Sequence, residues 1–137
     1  MSDAKQGLSK GFTLTEVIVT IVILGALAGL AIPSYNNTIE QSRANEAQVN
    51  LNTIYMAEKI FRANNGSYWG PAANPVAVAT INTGLRIDLA APQFYTTINI
   101  TPLNGGAQTF TATATRVGGG WNGRVASINQ TGTYTAP

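Results

Sequence analysis

The sequence predicts an α+β protein: a long N-terminal helix, membrane-spanning in its first part, whose C-terminal half packs on a small antiparallel β-sheet head. Three observations predict it. Residues 17–32 are apolar almost without a break, residues 34–63 carry apolar side chains at three- and four-residue spacing, and short β-type segments separated by Gly-rich turns fill the rest.

With 137 residues there is room for one ordinary domain and an extension. Charged residues make up 10% and the formal net charge is +2, too little for a dedicated nucleic-acid binder. His and Cys are both absent, which removes the commonest general base, the commonest transition-metal ligands, thiol nucleophiles and disulfides. The carboxylates are scattered, so no catalytic residue, cofactor or metal site is expected. Gly118-Gly119-Gly120 lacks the Lys-Ser/Thr ending of a phosphate loop and reads as a turn.

The apolar run extends over residues 12–32, which at about 1.5 Å per residue reaches about 30 Å, the thickness of a bilayer core. Lys5 and Lys10 precede it and no Lys or Arg follows before Arg43, which places the N-terminus in the cytoplasm and the head outside. Gly25 and Gly29 give a spacing that lets helices approach closely in lipid. Pro33 has no N–H to donate and is expected to break or kink the helix.

After Pro33 the helix is expected to continue to about Ala63, with Ala47, Leu51, Ile54, Ala57 and Phe61 on the face under the head and residues 34–45 against neighbours or solvent. Asn64-Asn65-Gly66 supplies its C-terminal stop. Strand-type segments are read over residues 76–81, 85–89, 94–101, 109–117, 124–129 and 133–135, and the simplest arrangement is an antiparallel meander of three or four strands packed on the helix. Phe110, Ala112, Ala114 and Arg116 alternate with Thr109, Thr111, Thr113 and Thr115, a strand with one solvated face. Tyr68, Trp69 and Trp121 lie in polar, Gly-rich loops suited to exposed contacts, or cap the edges of the core. Arg86, Arg116 and Arg124 with Trp121 offer a basic aromatic patch for DNA, although surface solubility accounts for three charges equally well.

Lys10-Gly11-Phe12-Thr13-Leu14-Thr15-Glu16-Val17, followed by the apolar helix and Pro33, resembles the prepilin motif of type IV pilins and type II secretion pseudopilins. The resemblance implies three parts: a cytoplasmic leader over 1–11, removed by a prepilin peptidase between Gly11 and Phe12; a transmembrane and polymerisation helix over 12–33; and a head over 34–137. It further implies N-methylation of Phe12 and a single-pass precursor in the bacterial inner membrane. From there it joins an extracellular or periplasmic homo-oligomeric filament on an assembly platform. A carboxylate one turn into a membrane helix costs about 2.5–3.5 kcal/mol and calls for a partner. In the family, the glutamate matching Glu16 is thought to neutralise the N-terminal amine of a neighbouring subunit, which gives Glu16 an assembly role. The function implied is a structural pilus subunit for adhesion, motility or DNA uptake, with a secretion pseudopilin or a minor pilin as the alternatives. The absence of Cys departs from the disulfide-closed loop of many pilins. The absence of any Asp or Glu after Asp88 departs from the calcium loop of major pseudopilins.

Overall fold

The computed structural model describes residues 11–137, so the expected leader, with Lys5 and Lys10, lies outside the described residues except for Gly11. Helix α1 spans Leu14–Asn65, 52 residues. It contributes to two compact units, one ending at Asn36 and the other Asn37–Pro137.

In the first unit, the residues from Gly11 to Ile32 are all exposed, and α1 is long and apolar enough to cross a membrane. Nothing lies within 4 Å of where a Cβ would stand on Gly25 or Gly29, so both leave open space for a neighbouring helix. The expected break at Pro33 is not an interruption, because helical backbone continues through it. A helix survives the loss of one N–H donor when the turns on either side stay bonded.

The second unit is the head. Residues 111–115 form the strand β2 (Thr111–Thr115) at its centre, flanked by β1 (Thr97–Thr101) and β3 (Val125–Asn129), with the short β4 (Tyr134–Thr135) beyond β3. All pairs are antiparallel, and Ile100, Ala112 and Ile128 stand in one row, as do Ile98, Ala114 and Ala126. These six are buried, whereas Thr, Asn and Ser at alternate positions face outward. The buried face joins Ala47, Leu51, Ile54 and Ala57 of α1 in a single core with Tyr68, Tyr95 and Phe110. Gly66, at φ +78°, ends α1 as expected, its N–H reaching the Arg62 carbonyl at 2.8 Å.

Two expectations for the head are corrected. Residues 76–81 and 85–89 are not strands: Val78–Leu85 is a second helix, α2, with Ile81 and Leu85 buried one turn apart. Arg86 closes it in the left-handed conformation at φ 55°, and the Asn82 side chain then holds both the N–H and the C=O of Leu89. Gly84 sits inside this helix because a Cβ there would overlap the Trp69 ring. Residues 34–45 are also not wholly given to neighbours or solvent, since Glu40 is buried and Arg43 partly so.

Candidate assembly site

Thr13 precedes the first turn of α1, and its hydroxyl accepts the Glu16 N–H at 3.3 Å. The Glu16 carboxylate reaches back, its Oε2 accepting both the Thr13 N–H and the Thr13 hydroxyl at 2.8 Å. This is a reciprocal N-terminal cap, and the Thr-x-x-Glu spacing that encodes it was legible in Thr13-Leu14-Thr15-Glu16. The cap aims the side chain toward the start of the helix, where Gly11 and Phe12 are exposed and Phe12 is 89% accessible. It engages only Oε2, leaving Oε1 for a cation supplied from elsewhere.

In the head, α1 has two apolar faces. Ala47, Leu51, Ile54 and Ala57 are buried beneath the sheet. Val49, Met56 and Ile60 instead are 64%, 63% and 65% exposed, and with Thr53 and Ile87 they border a shallow groove of about 480 Å³. The spacing of 49, 53, 56 and 60 keeps these residues on one side of the helix.

Glu40 anchors the head to α1 through charge. Its carboxylate accepts from Arg43 Nη1 at 2.7 Å and from Arg116 Nε at 3.0 Å, and the hydrogen bond from Arg116 holds its pKa below the usual carboxylate range. Arg116 also donates to the carbonyls of Phe94 and Val117, and the Phe94 ring lies 4.7 Å from the Arg43 guanidinium and 5.4 Å from that of Arg116. The turn over residues 118–123 comes so close that a Cβ on Gly119, at φ +73°, would collide with Arg116 and Glu40. Arg116 is therefore withdrawn from the expected DNA patch; it is 4% exposed and neutralised internally.

Glu58 has no exposed surface; its Oε2 accepts the Trp69 N–H at 2.9 Å and its Oε1 has no partner among the described residues. Burial pushes its pKa up to about 7. Tyr68, expected in a loop either for exposed contacts or as a cap on the edge of the core, is buried against Phe110 at 4.8 Å between ring centroids. Trp69 packs on the edge of the core, whereas Trp121 lies outside it with Arg124 stacked on its ring at 4.6 Å.

Residues 8–32 match the family described as the prokaryotic N-terminal methylation motif, and residues 33–124 match the family described as type IV minor pilin ComP, DNA uptake sequence receptor. The chain is 37% identical to the type IV major pilin protein PilA of Myxococcus xanthus over 86 residues, 61% of this chain and 39% of that one. It is 41% identical to the type IV major fimbrial protein FimA of Dichelobacter nodosus over 73 residues, 51% of this chain and 43% of the relative. With PilE1 of Neisseria gonorrhoeae, a type IV major pilin protein, it shares 34% identity over 73 residues, 53% of this chain and 33% of the relative. Each alignment thus spans less than half of the relative's length. The methylation motif leads into a helix-and-sheet head whose family match covers more than half of the sequence, and the chain belongs to the type IV pilin family.

Proposed function

We propose that this chain is the structural subunit of an extracytoplasmic type IV filament, cut between Gly11 and Phe12, methylated at Phe12 and assembled through Glu16. The strongest support is apolar surface that the chain itself does not cover. Lipid can cover residues 14–32 before assembly, but Val49, Met56 and Ile60 lie well beyond the apolar run and are as exposed as Leu24 and Leu27. The helix of a second copy is a cover of matching chemistry for both stretches. The free Oε1 of Glu16 suits the amine created at Phe12 when the leader is removed. As a pilin it acts by packing, and we assign it no reaction.

The test replaces Glu16 by Gln and, separately, Met56 by Glu, and compares pilin in sheared filaments with pilin in membranes. Glu16→Gln should lower filament yield by more than about tenfold, a coupling of at least about 1.4 kcal/mol, while leaving insertion intact. Normal filaments from this variant would refute the pairing role. Abundance in the sheared fraction also separates a surface pilus from a secretion pseudopilin, whose filament stays short.

The family description over residues 33–124 favours DNA as a second reading, a partner of the head rather than of the filament core. From Asn37 onward the sequence has six cations, Arg43, Lys59, Arg62, Arg86, Arg116 and Arg124, against the four carboxylates Glu40, Glu46, Glu58 and Asp88. Lys59, Arg86 and Arg124 are exposed and remain for phosphate contacts. Binding through so few contacts should weaken only gently with salt, with a log–log slope of about −3. A duplex that fails to bind at about 50 mM salt removes this reading and leaves the filament reading intact.

A further inference from the structure

We propose that the head carries a binding site for a neutral saccharide in the cleft between α1 and the sheet's C-terminal edge, with Trp121 and Tyr134 as stacking surfaces and Gln41, Asn45 and Gln48 as hydrogen-bonding groups. The cleft has a volume of about 380 Å³, and Ala44, Ala136 and Pro137 complete its lining. Its chemistry is set by what it lacks: among the described residues, no Lys, Arg, Asp or Glu side chain lines it.

Its polar groups are uncommitted. The Gln41, Asn45 and Gln48 amides, the Trp121 indole N–H and the Tyr134 hydroxyl make no hydrogen bond among the described residues. Three amides at positions 41, 45 and 48 share one side of α1, distinct from the side under the sheet and from the exposed apolar side. Each planar amide has a carbonyl acceptor and two N–H donors, so it can hold two neighbouring hydroxyls of a ring at once. Aromatic rings present an apolar face with a negative quadrupole, which suits the slightly positive C–H face of a sugar ring. Few other ligands combine dense hydroxyls with an apolar face and no charge.

The aromatic walls are held in place before any ligand arrives. Tyr134 pairs with Ile128 across β3 and β4. Trp121 stands in a turn whose hydrogen bonds include Gly118 N–H to Asn122 Oδ1 at 2.8 Å, Gly123 N–H to the Arg116 carbonyl at 2.9 Å, and Arg124 N–H to the Trp121 carbonyl at 3.0 Å. The contact of Gly119 with the Glu40–Arg116 pair ties that turn to α1. Pre-ordering of this kind lowers the entropy lost on binding. A nucleic-acid strand fits less well, because Arg124 is spread against the Trp121 ring and does not line the cleft.

The experiment uses the full chain in a detergent without a sugar headgroup, so it does not depend on filament assembly. An array of neutral mono- to hexasaccharides is screened, and any binder is titrated by intrinsic tryptophan fluorescence. At least one neutral saccharide should bind, with affinity unchanged between about 50 mM and 300 mM salt. Trp121→Ala should weaken it more than about tenfold and Gln48→Ala severalfold. Gln41→Ala and Gln48→Ala truncate exposed side chains, so they remain informative if Trp121→Ala proves unstable. Absence of any neutral binder on the array overturns the proposal. So does binding that persists in the Gln41→Ala/Gln48→Ala double variant, or a cleft occupied by DNA alone with affinity that falls as salt rises.

Discussion

One helix serves two environments in this pilin, and the difference shows where its stability resides. In the first unit, none of the described apolar side chains of α1 is buried: Val17, Ile21, Leu24 and Leu27 are 47–62% exposed. From Ala47 onward, one side of the same helix is wholly enclosed, with Leu51 and Ile54 at 0% exposure. Burial of a Leu or Ile side chain contributes about 1.5–3 kcal/mol, so the head gains from α1 a stabilisation that the exposed apolar residues of the first unit do not supply within their own unit. The two stretches treat carboxylates differently too. Glu16 is capped by its own first turn and keeps one oxygen open, whereas Glu40 and Glu58 are buried and committed to the head.

The sharpest way to break the head without touching the first unit is to remove Arg116. Arg116→Ala leaves Glu40 buried without its main partner, and the Phe94 and Val117 carbonyls lose a donor. The unfolding free energy of a fragment beginning at Asn37 should fall by about 3–5 kcal/mol in urea denaturation. Replacing Glu40 and Arg116 together by apolar residues should cost clearly less. A double variant as unstable as the sum of its parts would show that the pair is not a unit.

Glu58 sharpens the comparison through pH. Its pKa is about 7 in the folded head against 4.5 for the free group, so the folded state holds this proton more tightly. The stability it supplies is complete below about pH 4.5, declines as pH rises toward 7 and is then flat, a change on the order of 3 kcal/mol. Glu40 acts in the opposite sense: its lowered pKa supplies stability above the free-carboxyl range that is lost in acid. Subtracting the profile of Glu58→Gln from that of the native head isolates the descending limb. A flat difference between pH 4.5 and 7 would mean that Glu58 is charged and solvated in the folded head.

What was legible in the sequence follows from how local each signal is. The extent of α1, the stop at Gly66 and an antiparallel meander of three or four strands rest on periodicity and turn residues read over a few positions. The second helix was hidden because Val76-Ala77-Val78-Ala79-Thr80-Ile81 alternates like a strand and its end is set by Arg86, not by a glycine. Arg116 misled for another reason. Its parity with Phe110, Ala112 and Ala114 already placed it on the inward face, and a buried arginine demands a carboxylate. But the carboxylate, Glu40, is 76 residues away, beyond any local pattern. The saccharide cleft escaped for the same reason, since positions 41–48 and 121–134 meet only in the folded head.

The smallest effect tests the exposed apolar side of α1 where it runs through the head. Met56→Ser removes apolar surface that is 63% exposed and touches neither the buried side nor the ion pair. Unfolding free energy of the fragment beginning at Asn37 should therefore change by less than about 0.5 kcal/mol. Leu51→Ala in the same fragment, two turns of helix or less away but on the enclosed side, should cost about 2–5 kcal/mol. If Met56→Ser destabilised the head as much as Leu51→Ala, Met56 would be packed within its own chain, and the apolar side would no longer be available to a second copy. A near-neutral Met56→Ser combined with weakened filaments assigns that side to packing between subunits, because the only change is then felt when another copy is present.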